Sequence, residues 1–238
     1  MNILILAAGQ RPTSKGDDYP LSLAEFNGTS LIQRVVEMCS VLQPARLIAA
    51  FRSDEIQMYH MNRVITLLSP TATVISVPER TQGAACTALL AAGIINANDE
   101  LLIVNGNELL CTDFQAVVNG FRVQQLDAGV VVFNSIHPRY SYVRTDKKGL
   151  VIEAAERKPI STYATAGFYW FARGCDFVSA AKNLIRKDAR VNNNFYICPT
   201  FNELILAQLR IGIHQVDANA YHPLKTSRQI EQFETIAE

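Results

Sequence analysis

The 238-residue chain lacks most of the features that announce a function outright. Its five cysteines (Cys39, Cys86, Cys111, Cys175, Cys198) are odd in number and form no CxxC pair. That excludes a zinc ribbon or a thioredoxin-like site and fits reduced thiols. Charge of neither sign dominates: 22 Lys+Arg balance 22 Asp+Glu, so no global basic field recruits nucleic acid or an anionic membrane. No apolar run is long enough to cross a bilayer, and no basic leader precedes the first strand. The expected location is therefore cytoplasmic, with no nucleic-acid or membrane partner. The four histidines (His60, His137, His214, His222) have no metal-ligand spacing, and there is no GxSxG elbow or Cys–His arrangement. Repeats, low-complexity tracts and linkers are missing too. What remains is a globular composition, 49% hydrophobic and 18% charged, in a chain long enough to bury a substantial core.

What is present is a rhythm. The apolar run Ile3–Ala8 meets Gly9 and then a polar stretch that becomes regular only at Ser30. A buried strand emptying into a glycine turn is where open α/β sheets place a phosphate-bearing ligand. Leu31, Val35, Met38 and Leu42 then predict a helix over Ser30–Leu42 with Ser30 as N-cap. Arg46–Phe51 reads as a strand, and Ser53 as the cap of a helix through Met58 towards Leu67. Thr73–Val77 follows as a strand, Ala84–Ile95 as an alanine-rich helix, Glu100–Asn105 as a buried strand and Asp113–Leu126 as a helix. This βαβα order predicts the α/β class: a Rossmann-like three-layer α/β/α fold with a mostly parallel central sheet and ligands at the strand C-termini.

After Gly129 the rhythm changes. Gly129–Asn134, Tyr140–Arg144, Leu150–Glu153 and Ala164–Phe171 read as short strands between turns, which predicts a smaller mixed β lobe. Helices return at Asp176–Lys187, Pro199–Leu209 and Thr226–Ile236, with a strand at Gly212–Val216. One domain over residues 1–238 is expected.

Six segments carry a resemblance: LAAG at Leu6–Gly9, EFNGTSLIQRVVE at Glu25–Glu37, TQGAACTALLAA at Thr81–Ala92, LLIVNGN at Leu101–Asn107, AERKPISTYATAGFYWF at Ala155–Phe171 and NNNFYICPTFNELI at Asn193–Ile205. With the architecture, they make the chain resemble the sugar-phosphate nucleotidyltransferases, which have a GT-A-like fold. The branch is the one linked to capsule and lipopolysaccharide precursors. The resemblance implies transfer of a nucleotidyl group from a nucleoside triphosphate to a sugar or polyol phosphate, with pyrophosphate released in a Mg²⁺-dependent step. It implies a nucleotide-binding half, 1–128, and an acceptor half, 129–238, and it leaves a homo-oligomer open.

The resemblance also implies site residues. Leu6, Ala7, Ala8, Gly9, Gln82, Gly83 and Asn105 would hold the nucleotide. Gln can offer donor and acceptor to one base edge, and Gly lets a base approach the backbone; the alternative is a turn that only starts a helix. Glu156 would take sugar hydroxyls, with Arg157, Gly167, Asn194 and Tyr196 lining the acceptor pocket and Lys158 supplying a phosphate-binding catalytic cation; the alternative for Glu156–Lys158 is a solvated charge cluster. Arg11 and Lys15 are the loop cations assigned to catalysis, with a plain solvated loop as the alternative.

Three positions depart from the family pattern. The loop after Gly9 is shortened, and Leu21 stands where a lysine follows the proline. Asn107 stands where the family has its magnesium-binding aspartate, leaving the adjacent Glu108 as the candidate metal ligand; Asp113 reads as a helix cap. Near the C-terminus, Tyr221-His222-Pro223-Leu224-Lys225-Thr226 replaces a Gly-Thr-Pro-like turn. An active enzyme with a rearranged site and a non-catalytic relative that binds nucleotide or sugar phosphate, or serves as a partner subunit, both remain open.

Overall fold

The computed structural model describes residues 1–9, 19–78, 81–226, 228–230 and 232–233. Strand β1 (Asn2–Leu6) lies inside a nine-stranded sheet, and all five of its residues are buried. Alternation puts Ile3 and Ile5 in the core on one face and Leu4 and Leu6 in the core on the other. A run that is apolar at every position is what a strand covered on both faces requires.

In chain order there follow β2 (Glu25–Phe26), β3 (Thr29–Ser30), α1 (Leu31–Ser40), β4 (Arg46–Arg52), α2 (Ser53–Tyr59), α3 (Met61–Leu68), β5 (Thr73–Val77) and α4 (Ala84–Leu89). Next come β6 (Leu101–Asn105), β7 (Glu108–Leu110), α5 (Phe114–Val123), β8 (Ala128–Asn134), β9 (Ser141–Thr145), β10 (Val151–Glu156) and β11 (Tyr163–Phe171). The last labelled elements are α6 (Gly174–Arg186), α7 (Thr200–Leu206), β12 (Ile211–Val216) and β13 (Tyr221–Pro223).

β4 and β6 flank β1 in parallel, and β5 extends β4 in parallel. The second half joins the same sheet through β11, which runs antiparallel to both β6 and β8. β9 and β10 add antiparallel strands, β12 pairs in parallel with β8, and two small sheets, β13–β7 and β2–β3, lie beside the main one. Helices α1, α3 and α5 cover one face, and α4, α6 and α7 the other. The expected three-layer α/β fold is present. Phe168, Trp170 and Phe171 are buried in its core, with Trp170 stacked on Phe121 at 5.7 Å.

Several local expectations need correction. One helix was expected from Ser53 towards Leu67. It is broken at His60, which adopts a left-handed conformation (φ 53°), and its N-cap is Arg52 rather than Ser53. The alanine-rich helix ends at Leu89, because Leu90, Ala91 and Ala92 bond three residues back in tighter turns. Ser30 and Asp113 do cap their helices, accepting from Gln33 N and Ala116 N. Of the helix expected over Thr226–Ile236, 228–230 and 232–233 are helical.

Candidate functional site

β1 pairs with β4 on one side and β6 on the other, so a crevice opens beyond their C-terminal ends, as it does at the switch points of open α/β sheets. A cleft of about 540 Å³ occupies this place. The strand ends Leu6 to Gly9 and Asn105 to Glu108 line it, together with Pro20 to Ser22, Thr81 and Gly83. The second half of the chain contributes Arg139 to Ser141, Glu156, Arg157, Gly167, Asn194, Tyr196, Tyr221 and Lys225.

At the strand ends, Gly106 N donates to Leu6 O at 2.8 Å, and a Cβ on Gly106 would meet that of Ala7 at 2.8 Å. The glycine therefore lets the two strand ends close side by side. Ser22 Oγ is buried without a hydrogen-bond partner among the described residues, and the serine lines the cleft. Gln82 is exposed and outside the lining; its carbonyl accepts from Phe195 N at 2.7 Å. Gly83 does serve a close approach, but to the chain itself: at φ 107°, a Cβ there would lie 2.4 Å from Phe195 O. This contact ties the turn before α4 to the segment carrying Asn194 and Tyr196, both of which line the cleft. Phe195 itself is buried beneath them.

Among the residues contributed by the second half, Glu156 ends β10, buried, and accepts a hydrogen bond from Ser141 Oγ. Burial pushes its carboxyl above the usual range, with Ser141, Arg157 and Lys225 opposing the shift. Arg157 adopts a left-handed conformation (φ 54°), uncommon without glycine, and its N–H donates to Tyr140 O. This fold-back brings Arg157 to the cleft while Lys158 is exposed and outside the lining. Gly167 (φ 68°) sits where the β11–β8 register shifts. The space its side chain would take is filled by Glu108, whose Oε2 would lie 1.9 Å from a Cβ. Besides lining the cleft, the glycine makes room for a carboxylate of the same chain.

Glu108 points into the cleft from β7, only 5% exposed. Its Oε2 accepts from Asn105 Nδ2 at 3.0 Å, and its Oε1 is paired with Lys225 Nζ at 2.5 Å. Pairing of β13 with β7 sets this up: Pro223 lies opposite Glu108, and Leu224 N donates to Asn107 O at 2.9 Å. Glu108 holds the Lys225 ammonium above its ordinary range.

Among the described residues, the donor set does not fit the divalent cation implied by the resemblance. No cluster of three or more His, Cys, Asp or Glu side chains capable of holding a metal occurs among the described residues. Asn105 and Asn107 are neutral amides, and both oxygens of Glu108 are engaged. Lys225, paired with Glu108, offsets the negative charge that this carboxylate would offer a cation.

The cleft thus brings together Leu6, Ala7, Ala8, Gly9, Gly83, Asn105, Glu108, Glu156, Arg157, Gly167, Asn194 and Tyr196. Arg11 and Lys15 lie outside the described residues. Lys225, Ser141, Arg139 and Tyr221 were not singled out from sequence as lining. The replaced turn at Tyr221–Thr226 was the available signal for Lys225, but strands as short as β7 and β13 leave no periodicity to read.

A sequence model of the family described as "Nucleotidyl transferase" matches residues 8–201. The bifunctional protein GlmU of Prochlorococcus marinus (strain MIT 9313) is 28% identical over 180 residues, which cover 71% of this chain and 39% of GlmU. The chain therefore matches well under half the length of that relative. A nucleoside-diphosphate-sugar pyrophosphorylase from Vibrio cholerae RC9 superposes with a TM-score of 0.85 at 20% identity, covering 99% of this chain and 100% of that one. A Bacillus anthracis protein provisionally described as a glucose-1-phosphate thymidylyltransferase, solved with a sucrose, gives 0.76 at 16% identity, covering 99% and 94%. At these identities the structural likeness is one of fold.

Proposed function

Because the chain belongs to the nucleotidyl transferase family, with the fold of sugar nucleotidyltransferases, we propose that it transfers a nucleotidyl group from a nucleoside triphosphate to a sugar or polyol phosphate. A phosphate oxygen of the acceptor attacks the α-phosphorus, the bond from that phosphorus to its bridging oxygen breaks, and pyrophosphate leaves with the electron pair. The observation that carries this reading is that one cleft joins Leu6–Gly9 to Glu156, Arg157, Asn194 and Tyr196, so that donor and acceptor can meet.

In this reading the strand-end backbone at Leu6–Gly9 and the Asn105 amide hold the nucleotide. Glu156, oriented by Ser141, accepts from sugar hydroxyls, and Arg157 and Lys225 supply positive charge to the phosphoryl groups. Lys158 stays a phosphate-binding candidate only through side-chain movement, and Arg11 and Lys15 add loop cations. Residues 1–128 and 129–238 act as the nucleotide and acceptor halves of one domain. Supply of surface-polysaccharide precursors in the cytoplasm accords with the branch resemblance.

A second reading, a relative that binds such ligands without turnover, is favoured by the neutral Asn107 and the Lys225–Glu108 pair. Pyrophosphate release across a panel of nucleoside triphosphates and sugar 1-phosphates separates the two. Release that depends on both substrates is the expected result. Binding of both without release would establish the second reading.

A further inference from the structure

The cleft carries a cation of its own at the place where the family pattern calls for a metal ligand. β13 lies against β7, and Leu224 N donates to Asn107 O, so the next residue, Lys225, extends over the turn that ends β6. One of its three N–H donors meets Glu108 Oε1. Among the described residues the ammonium makes no other ion pair, and the side chain lines the cleft and is 48% exposed. An ammonium has three N–H donors, so this one can meet Glu108 and a ligand at once.

Glu108 is held for this task. Its other oxygen is taken by Asn105, and the absent side chain of Gly167 leaves it the space it occupies. It orients and balances the lysine rather than presenting a bare carboxylate to a metal. Arg139, Arg157 and Lys225 line the same cleft as Glu55, Glu108 and Glu156, while the Arg52 guanidinium is held by both oxygens of Asp54. Cationic side chains set among hydrogen-bonding groups in this way suit phosphoryl oxygens.

We propose that Lys225 is the built-in counter-cation of this cleft, standing in for a divalent metal, so that phosphorylated ligands bind without one. The proposal rests on the reading that the cleft takes a nucleotide or sugar phosphate. It extends that reading by assigning a residue to the phosphoryl group and by removing the metal requirement from binding.

Calorimetric titration tests it, using inorganic pyrophosphate, each of the common nucleoside triphosphates and glucose 1-phosphate, in EDTA and in Mg²⁺. At least one of these is expected to bind wild-type protein equally well in both buffers. Lys225→Met should weaken that binding by about ten- to a hundredfold, the loss of one charge-assisted hydrogen bond, and Lys225→Arg should largely preserve it. If Lys225→Met fails to fold, the double variant Lys225→Met with Glu108→Gln removes the charge pair together and should show the same loss. Manganese titrated alone should find no tight site.

Binding that requires Mg²⁺, a tight manganese site, or full EDTA affinity in folded Lys225→Met would each overturn the assignment. All three would leave the nucleotidyltransferase reading in place. Failure of every phosphorylated probe to bind in either buffer would overturn both.

Discussion

Gly167 shows how tightly the cleft is built. With φ at 68° and Glu108 Oε2 where a Cβ would stand, Gly167→Ala should cost about 3 kcal/mol of stability in urea unfolding. Glu108→Ala in the same background should recover the part of that cost due to the clash; no recovery would mean that the backbone conformation alone is responsible. Glu156 makes a pH prediction. Burial raises its folded carboxyl above the 4.5 of the free group. Its favourable contribution is thus complete below 4.5 and is lost as pH rises through the folded value. Glu156→Gln should therefore raise Tm at neutral pH, with the advantage shrinking in acid; a difference independent of pH would show that Glu156 is not the titrating group. Lys225 governs a third outcome. Asn107→Asp alone should leave triphosphate affinity indifferent to Mg²⁺, whereas Asn107→Asp with Lys225→Gln should make it Mg²⁺-dependent, as read by titration in both buffers. Most of the residues named from sequence line the cleft, but what fills the space beside Gly83 and Gly167 was not legible, because their neighbours come from distant segments.

Among the elements, stability is sensitive at the caps and breaks of helices. Asp113 accepts from Ala116 N at 3.0 Å at the start of α5, so Asp113→Ala should cost about 1 kcal/mol by chemical denaturation. A change in ligand affinity without a change in stability would instead point to a site role. His60 sits in the left-handed region between α2 and α3, and His60→Gly should stabilise the protein by about 0.5 kcal/mol in the same assay. Long periodic elements such as α1, β1 and β8 were legible because burial repeats along them. The β7–β13 pair was not, since three residues a side carry no period, and it is this pair that brings Lys225 to Glu108.

Across the whole molecule, β11 binds the two halves: Phe168 to Phe171 pair with Val104 to Leu101 of β6 on one edge, and Tyr169 to Phe171 with Val130 to Ala128 of β8 on the other. Residues 1–238 are therefore expected to unfold in one transition, with fluorescence and circular dichroism coinciding. Two separated transitions would make the halves independent domains. The class of fold was legible in the residues alone, because strand alternation, helical spacing and local turn chemistry act over short stretches of chain. The candidate pocket residues came instead from the resemblance of whole segments to a family. The electrostatics of the cleft came from contacts between distant segments. Whether Glu108 could serve a metal depended on Lys225, more than a hundred residues away in the chain, and on a three-residue strand pairing that no local pattern encodes.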